Sequence, residues 1–183
     1  EEIRRLSSTT GKNVRVQLEL GGKNPVIILP DANIEKAVEM VARGAFGLTG
    51  QVCTATSRAI VLDKIAEEFT RKIVEKARKL KVGNGLREGV DLGPLVGQRE
   101  LEKVLSYINI GVAEGAKLLT GGKRLTGGEY DKGYFVEPTV FADVTPDMRI
   151  AKEEIFGPVL SIMTASSFDE AIEIANSVEY GLA

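Results

Sequence analysis

Two short apolar runs, VIIL (26–29) and RAIVL (58–62), each lead into a stretch with helical periodicity. Neither run offers a polar face, the pattern of a strand buried on both sides in a parallel sheet. After the first run, Asp31 or Asn33 can cap a helix that carries Ile34, Ala37, Val38, Val41 and Ala42 on one face. After the second, residues 63–80 align Ile65, Phe69, Ile73, Ala77 and Leu80 in one stripe, with charges opposite. Parallel neighbours need a crossover connection, usually a helix. The alternation predicts an α/β fold: a mostly parallel open sheet with helices on both faces.

The remaining segments fit that scheme. VRVQLEL (14–20) alternates strictly and predicts a strand that ends at Glu19 and Leu20, before the break GGKNP. A turn-rich loop is expected over 83–95, a helix over 98–114 and a strand over 116–119. The glycine-rich stretch 120–133 predicts an exposed loop. YFVEPTVF (134–141) predicts a strand with Pro138 at an edge or bend, and 156–165 predicts another. Ser167 and Glu170 form a capping box for a helix over 168–178. The chain starts helix-like, with EEIRRLSS, and stops at EYGLA where a further strand is expected, so both ends read as cut from a larger protein.

Charge and composition narrow the function. The net charge is −2, from 24 basic and 26 acidic residues, which argues against nucleic acid or a membrane surface as partner. No apolar run approaches the length of a membrane span, and no signal peptide precedes the first strand. A single cysteine makes no internal disulfide, so the expected compartment is a reducing cytoplasm. The absence of histidine excludes a Ser-His-Asp or Cys-His hydrolase within this chain and argues against a zinc site. A nucleophile here must be activated by a carboxylate, a lysine or the backbone.

That single cysteine, Cys53, lies in FGLTGQVCTATSR (46–58). A lone cysteine is most simply a small buried hydrophobe. Its surroundings argue otherwise: Gly44, Gly47 and Gly50 keep the chain lean, and a tight turn suits a sulfur that faces a cleft. Backbone N–H groups at such a turn favour a thiolate and hold an oxyanion. Glu19 is either a solvated strand residue or, at a strand end beside two glycines, a general base. Lys23 would add positive potential near it. Glu154 precedes a Phe-Gly-Pro turn that can hold its carboxylate at a cleft edge; its simpler reading is a charged residue before a strand. LGGKN and TGGKR lack the spacing of a phosphate-binding P-loop and read as turns.

Three segments then carry a resemblance. LELGGKNP (18–25), FGLTGQVCTATS (46–57) and EEIFGPV (153–159) are similar to the glutamate, cysteine and third signature motifs of the aldehyde dehydrogenase superfamily, in family order. The similarity continues through NPVIILPDANIEKAV, YFVEPTV and YGLA and covers nearly the whole chain. The resemblance implies oxidation of an aldehyde to a carboxylic acid with NAD or NADP and no metal. Cys53 would be the nucleophile, forming a thiohemiacetal and then a thioester, and Glu19 the base that activates the hydrolytic water. The Cys53 backbone N–H would be half of an oxyanion hole. Glu154 would hold the nicotinamide-side ribose, Phe156 would lie beside the nicotinamide pocket, and Gly21 would belong to a glycine turn near the cofactor.

Against the family pattern the chain is short. The resemblance implies that residues 1–20 are the tail of a cofactor-binding domain and 21–183 most of a catalytic domain, incomplete at its C-terminus. The asparagine that completes the oxyanion hole and the segment that makes a homo-oligomer would lie outside it. Three readings stay open: a catalytic-domain piece of an oxidoreductase, a carboxylate-assisted thiol hydrolase, and a non-enzymatic folding unit.

Overall fold

The computed structural model describes residues 2–182. In chain order the elements are α1 (Glu2–Thr9), β1 (Asn24–Ile28), α2 (Ile34–Phe46), β2 (Thr56–Leu62), α3 (Asp63–Lys79), α4 (Gln98–Ala113), β3 (Lys117–Thr120), β4 (Thr139–Ala142), α5 (Arg149–Lys152), β5 (Val159–Ala165) and α6 (Phe168–Ala175). Among the described residues the strands form one sheet in the order β1-β2-β5-β4-β3. β1, β2, β5 and β4 run parallel; β3 joins the far edge antiparallel to β4.

The central strands bury both faces, as their unbroken apolar sequences require. Ala59 and Val61 of β2 and Leu160 and Ile162 of β5 face the layer of α2 and α3. Ile60 and Leu62, with Val159, Met163 and Ala165, face the layer of α4, α5 and α6. In the parallel register Ala59 lies beside Ile162 and Ile60 beside Met163, so each pair feeds one core. Full burial of a side chain such as Ile60 or Leu160 contributes about 1.5–3 kcal/mol.

The helices start where capping side chains occur. Asn33 Oδ1 accepts from Lys36 N at 3.0 Å ahead of α2. Ser167 Oγ accepts from Glu170 N at 3.1 Å, while the Glu170 carboxylate reaches back to Ser166 N at 2.7 Å, one residue earlier than a regular capping box. The Ser166 hydroxyl first, then that backbone bond, lowers the Glu170 carboxyl below its ordinary value.

Two expectations need correction, and two features go beyond them. Residues 14–20 form no strand: they have no ladder partner among the described residues, and Val14, Val16 and Leu20 stay exposed. Alternation alone does not make a strand when no neighbour supplies hydrogen bonds and no core covers the apolar face. The strand expected over 134–141 is confined to Thr139–Ala142, because Pro138 lacks an N–H and Tyr134 and Val136 bridge instead to Leu95 and Arg124. The exposed loop at 120–133 contains a 3₁₀ turn, Gly128–Lys132. The four-residue α5 was not foreseen, being too short to show periodicity.

Candidate active site

Because β1, β2 and β5 are adjacent and parallel, the segments that precede them meet at one edge of the sheet. These are residues 21–23, 47–55 and 153–158, which hold Gly21, Lys23, Cys53, Glu154 and Phe156. The edge is the amino end of the strands, not the carboxyl end where open α/β sheets usually bind ligands.

The cysteine segment is a strained, tethered reversal. After α2, Leu48, Thr49 and Gly50 take φ values of 50°, 61° and 67° in succession. Two of these are non-glycine residues in the left-handed region, a conformation held only by surrounding contacts. The tethers come from residues 93–96: Thr49 Oγ1 donates to Gly93 O at 3.1 Å, and Val96 N donates to Gln51 Oε1 at 2.9 Å. Ala55 N then donates to Val52 O at 3.0 Å, which makes Cys53 the second residue of a four-residue turn. Cys53 is half-buried and unpaired.

Glu154 and Phe156 approach from the segment before β5. Glu154 Oε1 accepts from Gly22 N at 2.8 Å. A Cβ on Gly21 would stand 2.7 Å from Glu154 Oε2, so the missing side chain leaves room for that carboxylate. Phe156 is the third non-glycine residue of this edge in the left-handed region, at φ 61°. Gly22, Gly50, Val52, Glu154, Phe156 and Gly157 line a narrow crevice. A wider hollow near Arg87, Glu129 and Tyr130 shares no residue with it.

Glu19 is exposed and outside the crevice lining, and its Oε1 accepts from Gln17 Nε2 at 2.7 Å. Lys23 corrects an expectation: it is 1% exposed, sunk into the protein, and its Nζ has no hydrogen-bond partner. Desolvation, reinforced by Arg58, pushes its ammonium down to about 7; Glu154 and Glu153 oppose the shift and Lys103 adds to it.

Sequence reasoning missed Asn24 and Arg58. Arg58 is fully buried, donating through Nε to Lys23 O at 3.0 Å and through Nη1 and Nη2 to Ile174 O and Ala175 O at 2.8 Å each. Burial lowers its pKa, yet three carbonyl acceptors keep the guanidinium charged at neutral pH. An arginine directly ahead of the apolar run AIVL was the available signal. Nearby, Arg149 grips Glu153 with two bonds of 2.8 and 2.9 Å, and Tyr107 Oη donates to it at 2.6 Å. Arg149 first, then Tyr107, lowers the Glu153 carboxyl to about 2.

Comparison with known proteins agrees with this architecture. Residues 2–183 match the profile described as the aldehyde dehydrogenase family. The chain is 48% identical over 171 residues to the alpha-ketoglutaric semialdehyde dehydrogenase of Bacillus subtilis, covering 93% of this chain and 35% of that protein. It is 48% identical over 183 residues to the betaine aldehyde dehydrogenase of Brucella anthropi, covering 98% of this chain and 37% of the relative. A crystal structure of betaine aldehyde dehydrogenase from Staphylococcus aureus in complex with NAD+ superposes with a TM-score of 0.92 at 38% identity, over 98% of this chain and 35% of that one. The chain thus spans about a third of the length of these relatives. With the profile matched along all but the first residue, the chain belongs to the aldehyde dehydrogenase family.

Proposed function

We propose that the protein carrying this chain oxidises an aldehyde to a carboxylic acid with NAD(P)+, and that this chain supplies the nucleophile Cys53 and the general base Glu19. The observation that carries the reading is the meeting of the Cys53 turn with the Glu154–Gly22 contact at one sheet edge. Residues 21–183 act as the catalytic domain, and residues 1–20 lead into it from the cofactor-binding domain. The setting is the cytoplasm, and the whole protein works as a homo-oligomer. Among the described residues no helix is long and apolar enough to cross a membrane, and no cluster of metal-ligating side chains occurs.

The residues present fit a dinucleotide on one side. Glu154 has one oxygen fixed by a backbone N–H, is half-buried, and faces the space left by Gly21. It would take ribose hydroxyls; Phe156 would pack beside the ring. When bound, the nicotinamide supplies the hydride acceptor.

The chain's own residues do the rest. The Cys53 thiolate attacks the aldehyde carbon, and the oxygen of the adduct is stabilised by the Cys53 N–H. Once the adduct is oxidised, Cys53 holds the acyl group as a thioester. Glu19 takes a proton from water, the resulting hydroxide attacks the thioester, and the C–S bond breaks to regenerate the thiolate and release the acid, which gives its remaining proton to solvent. For this Glu19 must give up its contact with Gln17, and its exposed position permits that movement.

The test measures reduced-cofactor formation from aldehydes, and p-nitrophenol release from its acetate, in the longer protein that carries these residues. Cys53→Ala is expected to abolish both. Glu19→Gln is expected to leave a burst of acylation with turnover reduced on the order of 100-fold. Full activity in Cys53→Ala would overturn the reading.

A further inference from the structure

Asn24 is 5% exposed and lies at the start of β1, away from any role assigned above. Its side chain reaches across to the cysteine turn. Nδ2 donates to Cys53 O at 2.7 Å and to Ala55 O at 2.9 Å, so both amide hydrogens are spent on the second and fourth residues of that turn. The two acceptors also settle the orientation of the amide, because a flipped group would set an oxygen against two carbonyl oxygens. Its Oδ1 is then a buried acceptor with no partner. A buried polar atom left unsatisfied costs about 1–3 kcal/mol. A side chain retained at that cost, in a strand of apolar residues, is held for its donor end.

The local backbone is shaped around this contact. A Cβ on Gly22 would collide with Cys53 O and come within 2.9 Å of Asn24 Oδ1, so the absent side chain lets the two segments close. The same Gly22 donates its N–H to Glu154 at 2.8 Å. Residues 22 and 24 thus tie the glutamate segment and the cysteine turn to the start of one strand.

We infer that Asn24 is a positioning residue for Cys53: by clamping the Cys53 and Ala55 carbonyls it fixes the turn that presents the thiol. This rests on the assignment of Cys53 as nucleophile. Clamped, the two carbonyl dipoles point at the amide. Released, they are free to turn toward the sulfur, where their negative ends disfavour the thiolate and its attack.

The experiment follows alkylation of Cys53 by iodoacetamide across pH, with no cofactor present, in wild type, Asn24→Asp and Asn24→Ala, beside thermal melting of each. Asn24→Asp keeps the volume but replaces the donor by oxygens facing two carbonyls. Both variants are expected to alkylate about tenfold more slowly when folded, within the cost of a small misplacement of a reacting group. Ser57→Ala removes only a long contact of 3.4 Å to Asn24 O and is expected to keep the wild-type rate. A purely structural role would lower the melting midpoint and leave the rate unchanged, and that result overturns the inference. Faster alkylation overturns it too, since the clamp would then merely cover the thiol. So does failure of both variants to fold, since the amide would then hold the fold and not the nucleophile. The assignment of Cys53 itself is judged separately, by aldehyde turnover in Cys53→Ala.

Discussion

Lys23 and Arg58 place two basic side chains inside the protein, one of them without a hydrogen-bond partner. The folded Lys23 amine, pushed down to about 7 by desolvation and Arg58, has an ordinary value of 10.5. Between those values the unfolded chain binds a proton that the folded chain does not, so the Lys23 contribution to stability rises with pH. Below about 7 both states are protonated and the full penalty of a buried charge remains. Lys23→Met is therefore expected to raise the melting midpoint more at about pH 6 than at about pH 9. Equal shifts at both pH values would refute the burial argument. Gly21 makes a second prediction. Its substitution by alanine drives a Cβ to 2.7 Å from Glu154 Oε2, and the carboxylate must move. Dinucleotide titration is expected to show affinity reduced on the order of tenfold, while iodoacetamide still alkylates Cys53 at the wild-type rate. Unchanged affinity would remove Glu154 from the cofactor site.

Helices α2, α3, α4 and α6 were legible because each carries an apolar stripe at helical spacing that a core on one side must cover. The cap of α2 offers a direct check. Asn33 accepts from Lys36 N at 3.0 Å, and Asn33→Ala is expected to cost about 1 kcal/mol in chemical denaturation. No measurable change would mean that water replaces the cap. The loops were less legible. The φ of 61° at Phe156 and the run of left-handed residues at 48–50 depend on contacts from other segments, such as Gly93 on Thr49. No local pattern announces them, since neither leucine, threonine nor phenylalanine favours that region.

Across the whole molecule the two cores lie on either side of one sheet, and residues 2–20 belong to neither. Only Ser7 and Leu18 in that stretch are even half-buried. Ile3, Leu6, Val14, Val16 and Leu20 present apolar surface to solvent. Such surface seeks a partner. Light scattering on the 183-residue chain is expected to find associated species, and deletion of residues 1–20 to reduce them without lowering the melting midpoint. A drop in the midpoint would show that the segment packs on the sheet after all.

The α/β alternation and the two-sided sheet could be argued from residues alone, and three short motifs named candidate site residues. Apolar runs, helical stripes and three short motifs are local, and burial acts on them in the same way wherever they end up. What only the folded chain decided is who meets whom. Parallel pairing of β1 with β2 and of β2 with β5 brings residues 22, 53 and 154 to one edge from distant parts of the chain. The Asn24 clamp, the buried Lys23 and the Arg58 carbonyl cage depend on that pairing. The alternation at 14–20 met no neighbour and stayed out of the sheet. Long-range contacts select among locally plausible structures, because a backbone hydrogen bond or a buried charge is stable only when its partner arrives from elsewhere.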